Sequence, residues 1–194
     1  MADVLIIKGS TRAKGNTDAL ADAAAEGAAS AGHRVTTLVL REHRFSGCIA
    51  CGGCSRDGFC HVKDAMQDIF TLLDAAEHVV LAAPMFFMSL PWCVKSMIDR
   101  CQVYWARKYV LKTGSGRAHP GGNCLALLLG GTDYRTLFDA PRIVLGAWTS
   151  IIEMTLHLGL TLRKIDAKGD IEKHPDALGR ARDLGARIAI GDKS

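Results

Sequence analysis

The stretch DVLIIKGSTRAKGNT, Asp3 to Thr17, joins a continuous aliphatic run to a turn made of glycines, hydroxyls, a guanidinium and an amide. An unbroken apolar run closed by Gly9 reads as a parallel strand buried on both faces. The alanine-rich segment behind it, NTDALADAAAEGAASAG, has helical spacing at Ala19, Ala23, Ala24 and Ala28 and a stop at Gly32. Strand, tight loop and helix form the start of a crossover unit, and the rest of the chain repeats the alternation.

HRVTTLVL (His33 to Leu40), HVVLAAP (His78 to Pro84) and NCLALLLGG (Asn123 to Gly131) read as the second, third and fourth strands. LTLRKIDA, Leu160 to Ala167, reads as a shorter fifth. Helices are predicted from about Asp64 to Asp74, from Pro91 to Cys101, from Asp139 to Gly159, and from Pro175 onward. In the helix begun at Asp139, a capping Asp139 and an opening Pro141 precede a stripe of Ile143, Val144, Ala147, Trp148, Ile151, Ile152 and Thr155, which is expected to be buried. Five strands alternating with five helices indicate an open α/β sheet with right-handed crossovers. Without repeats or low-complexity linkers, 1–194 reads as one domain with two interruptions. These are a cysteine-rich loop at 48–60 and an insertion at about 103–122.

Composition narrows the function classes. The 194 residues are 48% hydrophobic and 23% charged, as in a soluble globular protein able to bury a core. The formal charge of +4 permits an anionic ligand without arguing for nucleic acid. MADVLIIKGS, with an acid at Asp3, no basic n-region and only a short apolar run, does not read as a signal peptide, and VVLAAPMFFMSLPWCV is too short to span a bilayer and is broken by Pro84 and Pro91. The expectation is a cytoplasmic protein with no membrane partner, whose thiols stay reduced.

GSTRAKGNT is neither a Walker loop nor a G-x-G-x-x-G fingerprint. Ser10, Arg12, Gly15, Asn16 and Thr17 instead offer hydroxyls, a guanidinium, an amide and flexible backbone at a helix N-terminus, which suits a terminal phosphate. The plain alternative is a capped strand-to-helix turn. The third strand ends in APMFFMSLP, where Pro84, Met85, Phe86 and Phe87 suit a flat ring, although Phe and Met are more often core. The fourth ends in GGTDY, where Gly130 and Gly131, followed by Thr132, allow close backbone approach. In a doubly wound sheet ligands bind beyond the carboxyl ends of the strands. Three such ends together suggest FMN.

CIACGGCSRDGFC places Cys48, Cys51, Cys54 and Cys60 at spacing C-x2-C-x2-C-x5-C, with Gly52, Gly53 and Gly58 giving the backbone latitude to wrap. In a reducing compartment, a metal or redox role outranks disulfides. Structural zinc usually takes two separated pairs, a Cys51/Cys54 dithiol leaves Cys48 and Cys60 unexplained, and an empty thiol loop is the bland case. His61 could donate to a bound sulfur or simply be exposed. Cys93, Cys101 and Cys124 fall in predicted elements and read as buried packing.

GSTRAKGNT, the compact cysteine loop followed by DAM, and APMFFMSLPWCVKSMIDR resemble the NADPH-dependent FMN reductase family of flavodoxin-like proteins, in its iron–sulfur flavoprotein branch. The resemblance is dense over the first half of the chain. It implies a flavodoxin-like five-stranded sheet of order 2-1-3-4-5 with helices on both faces and FMN at the switch point. It also implies a [4Fe-4S] cluster on Cys48, Cys51, Cys54 and Cys60, and a structural role for Lys95, Asp99 and Arg100. Phe86 departs from a frequent tyrosine, and Ala65 from the second acid of DDM.

The expected function is a redox flavoprotein passing electrons between FMN and the cluster to a small acceptor or carrier. The donor is a ferredoxin-like protein or NAD(P)H, and the cofactors carry the chemistry. The alternatives are a cluster-free NAD(P)H-dependent FMN or quinone reductase and a non-enzymatic zinc-binding interaction domain. The insertion, with Arg107, Lys108, Lys112 and Arg117 among aromatics, is expected to cover the flavin or enter an oligomer interface rather than bind nucleic acid. The resemblance implies a homodimer or homotetramer.

Overall fold

The computed structural model describes residues 1–190. Five parallel strands, β1 (Asp3–Lys8), β2 (Arg34–Val39), β3 (His78–Pro84), β4 (Gly122–Leu129) and β5 (Met154–Leu162), lie in the order β2-β1-β3-β4-β5. All four pairings are parallel, as the alternation predicted. The helices are α1 (Asn16–Ser30), α2 (Cys54–Asp57), α3 (Met66–Ala75), α4 (Trp92–Arg100), α5 (Gln102–Trp105), α6 (Asp139–Ile151) and α7 (Pro175–Ala186).

Strand side chains alternate between faces, and each face has its own core. Leu5, Ile7, Val79, Leu81, Ala126 and Leu128 pack with α3, α4 and α6. Val4, Ile6, Val80, Ala82, Leu125 and Leu127 pack with α1 and α7. The alanines of α1 are small because α7 lies so close. A Cβ on Gly27 would stand 1.8 Å from the Arg182 carbonyl oxygen, and one on Gly185 would stand 2.0 Å from that of Ala24.

Four expectations fail around the helix begun at Asp139. The helix begun at Asp139 ends at Ile151, and β5 starts at Met154 rather than Leu160. Glu153, at φ +57°, turns the chain between them, and β-branched Ile151, Ile152 and Thr155 suit a sheet edge as well as a helix. The buried stripe is likewise rotated: Pro141, Leu145, Trp148 and Thr149 face the core, whereas Ile143 and Thr155 are exposed. Asp139 makes no capping hydrogen bond.

The 103–122 segment continues α4 through α5 and a π-helical turn, Ala106–Val110. Val103 lines the thiol cavity, and among the described residues none of the segment lines the strand-end cavity described below. Arg117, read as part of a basic surface, is buried. Its guanidinium donates to the carbonyls of Leu73 (3.1 Å), Ile152 (2.8 Å) and Ala76 (2.5 Å). It closes the ends of α3 and α6.

Candidate functional site

Two separate cavities hold the predicted site residues. The first, of about 120 Å³, lies beyond the carboxyl ends of β1, β3 and β4. Ser10, Arg12, Gly15, Asn16, Thr17, Pro84, Met85, Phe86, Gly130 and Gly131 line it, together with Leu129, Ile165 and Asp166, which the sequence did not single out. Phe87 and Thr132 stand outside its wall.

The first turn of α1 leaves N–H groups without helical partners, and these point an anion site at the loop. Asp18 in that turn would oppose a phosphate, but its carboxylate is already spent. Arg41 donates to both its oxygens at 3.1 and 2.9 Å, and the Lys14 amide donates at 2.8 Å. Arg41 also reaches the Ser10 carbonyl at 3.3 Å, so this pair moulds the loop. No local motif announces a partner 23 residues away.

Asn16 performs a different task from the one its type suggests. Its amide donates to Ala167 O (2.8 Å) and accepts from Gly169 N (3.0 Å) and Ile171 N (3.2 Å). It therefore pins the loop after β5 against the loop between β1 and α1, and Arg12 helps by donating to Asp166 O at 3.1 Å. Gly130 and Gly131 also serve the protein's own packing. A Cβ at Gly131 would stand 2.8 Å from Asp166 Cβ, and one at Gly130 would stand 3.0 Å from Leu137 Cδ2.

The aromatic turn is tight. Phe86 and Ser89 exchange backbone hydrogen bonds at 2.9 Å, with Phe87 (φ +48°) and Met88 (φ +63°) left-handed between them. Such turns usually use Asn and Gly, and each left-handed non-glycine residue costs roughly 1–2 kcal/mol. The strain holds Phe87 fully exposed at the tip. Strain of this kind gathers at ligand sites.

The second cavity, of about 380 Å³, is lined by all four loop thiols, Cys48, Cys51, Cys54 and Cys60, with His61, Val62, Asp99, Arg100, Gln102 and Val103. The loop bends through Ala50 (φ +53°), Gly52 (φ +72°) and Gly58 (φ +79°). Burial pushes the Cys54 thiol up, and the charges of Cys48, Cys60 and Cys51 add to the rise. Among the described residues no three Cys, His, Asp or Glu groups converge on the single point that a lone metal ion needs. Four thiols lining one cavity are nonetheless a soft donor set.

Residues far along the chain shape this loop. Asp64 accepts from Ser46 N and Met66 N, both at 3.0 Å, and from both terminal nitrogens of Arg100. Arg100 also donates to Ser46 O and Val62 O, both at 3.1 Å, so one side chain ties both stems of the loop. Arg107 donates to Gly58 O at 2.8 Å and lies against the Phe59 ring. His61 is committed to Asp57 at 2.8 Å through Nε2, and Gly53 leaves room for its ring. Cys93, Cys101 and Cys124 are buried as expected, and burial pushes the last two thiols to about 12. Lys95 and Asp99 pair on the outer surface.

A sequence model described as NADPH-dependent FMN reductase matches residues 2–131. The chain belongs to that family. An iron-sulfur flavoprotein of Methanosarcina thermophila is 30% identical over 112 residues, 58% of this chain and 59% of that one. One from Archaeoglobus fulgidus is 30% identical over 101 residues, 52% of this chain and 46% of that one. The matches thus span roughly half the length of these curated relatives. In fold, the chain superposes over its whole length on an NAD(P)H:quinone oxidoreductase from Methanothermobacter marburgensis, with TM-score 0.79 at 16% identity and 98% of that chain covered. An archaeal flavodoxin follows the same fold, with TM-score 0.58 at 16% identity, over 98% of this chain and 97% of that one. Among the described residues no helix is long and apolar enough to cross a membrane.

Proposed function

We propose that this family member is a flavin oxidoreductase of the iron–sulfur flavoprotein type. FMN would lie in the strand-end cavity, and a [4Fe-4S] cluster would be held by Cys48, Cys51, Cys54 and Cys60. The observation that carries the reading is that all four thiols line one cavity. A cuboidal cluster takes one thiolate at each of four corners, so its ligands surround a space rather than meet at a point. FMN exchanges electrons in pairs or singly and an iron–sulfur cluster one at a time, so together they convert between the two kinds of traffic.

The chain's own residues would position and insulate these groups. The α1 N-terminus, Ser10, Thr17 and Arg12 present donors to a phosphate, and Arg41 removes the opposing charge of Asp18. Met85 and Phe86 offer a flat apolar wall. The aromatic turn leads directly into α4, whose far end, Asp99 and Arg100, borders the thiol cavity. Nine residues of helix, about 14 Å at 1.5 Å per residue, connect the two sites. Electrons would enter from a ferredoxin-like protein or NAD(P)H and leave to a small acceptor or carrier.

The test is a UV–visible spectrum with iron, sulfide and flavin analysis after purification without oxygen. Flavin bands on a broad thiolate-to-iron absorption, with about four irons per chain, are expected for a four-iron cluster. Flavin bands without iron overturn the cluster and leave a cluster-free reductase. Colourless protein overturns both cofactors.

A further inference from the structure

Arg100 is among the most deeply buried charges in the molecule, at 1% exposure. A guanidinium has five N–H groups. Its terminal nitrogens are occupied by Ser46 O, Val62 O and the two Asp64 oxygens. The fifth group, Nε–H, is buried and has no hydrogen-bond partner among the described residues. A buried unpaired donor on a charged group is costly, so its persistence asks for a partner. Among the described residues Arg100 is the one arginine lining the thiol cavity, and Cys60 lines it too.

We propose, resting on the cluster reading above, that the Arg100 Nε–H donates a hydrogen bond to the Cys60 sulfur when that sulfur is a metal-bound thiolate. The guanidinium thereby sets the reduction potential of the bound group besides latching the loop. Burial works against the Arg100 charge, yet Asp64 and Cys60 beside it hold its pKa above the ordinary value. A cation and a donor on a ligand sulfur favour the more negative, reduced state, because charge-assisted hydrogen bonds are stronger than neutral ones and outer partners tune a metal site. A metal-bound thiolate at Cys60 would satisfy the Nε–H that the described residues leave unpaired.

The experiment compares Arg100→Lys with Asp64→Asn in protein purified without oxygen, reading the cluster midpoint potential by EPR-monitored titration. FMN content reports folding. Arg100→Lys keeps a cation for Asp64 but loses the Nε–H donor. It should shift the oxidised-to-reduced ratio at fixed potential about tenfold toward oxidised, a fall of ~59 mV for one electron. Asp64→Asn loosens the same latch but removes a negative charge, so its potential should stay or rise. Equal falls in both variants, or no fall in Arg100→Lys with iron retained, would make Arg100 a latch only and overturn the proposal while leaving the two-cofactor reading intact. Wild-type protein holding FMN without iron would overturn both. Where Arg100→Lys does not fold, the wild type decides: arginine labelled with ¹⁵N at Nε should show hyperfine coupling to the reduced cluster, and its absence overturns the proposal.

Discussion

The cysteine loop and the strand-end cradle are built on opposite plans. In the loop the chemistry sits in side chains that sequence spacing displays, while the shape is imposed from elsewhere, by Asp64, Arg100 and Arg107. In the cradle the α1 N-terminus offers backbone N–H groups, and several conspicuous side chains are structural. Asn16 clamps a distant loop, Gly130 and Gly131 make room for Leu137 and Asp166, and Asp18 is neutralised by Arg41. Residue type therefore identifies the thiol site, whereas position on the fold identifies the cradle. A side chain that looks like a ligand is as often the brace that places one.

Cys51→Ala should separate the two sites most completely. Iron and sulfide are expected to be lost while FMN stays stoichiometric, because the two cavities share no lining residue. Metal and flavin analysis of the purified variant checks this, and iron at the wild-type level would show that the loop's side chains do not carry the chemistry assigned to them.

Gly131→Val attacks the cradle through packing alone. The new Cβ meets Asp166 at 2.8 Å, and overpacking of this kind costs about 1–3 kcal/mol. FMN affinity should fall about tenfold or more at ~1.4 kcal/mol per tenfold, measured by quenching of flavin fluorescence on titration. Iron content should hold. An unchanged affinity would mean that the loop after β5 does not position the flavin site.

The smallest effect is in pH. Partial burial works to raise the Asp64 pKa, but Arg100 and the N–H groups of Ser46 and Met66 outweigh it and hold the carboxyl below 3.8. With the folded-state value depressed, the stabilisation is complete above the unfolded value and is lost as pH falls through the lower folded one. In protein stripped of metal, hydrogen exchange over 46–64 should rise below pH ~4 before exchange in β1 and β3 does. Asp64→Asn should flatten that rise. A rise of the same size in the variant would assign the acid sensitivity to another carboxylate.

Much of this fold was readable because its signals are local. Continuous apolar runs announce buried parallel strands, and glycines and capping residues mark their ends. The error at Ile151 to Leu160 has the same origin: β-branched residues at a sheet edge satisfy helical spacing too, and only the turn at Glu153 separates the two elements. The loop cysteines were readable for the same reason, since four thiols within thirteen residues are close in space however the loop runs.

The sequence by itself determined the strand–helix alternation, the thiol set and the polar turn at the α1 N-terminus, because each depends on neighbours a few residues apart. Tertiary structure alone decided that Arg117 is a buried clamp rather than a surface cation, that Asn16 braces a loop about 150 residues away, and that Arg100 lines the thiol cavity with Cys60 and has one buried donor unpaired among the described residues. These roles depend on which carbonyls and carboxylates the fold brings within about 3 Å. A buried cation and an exposed one are the same letter in sequence, and only the surrounding oxygen atoms distinguish them.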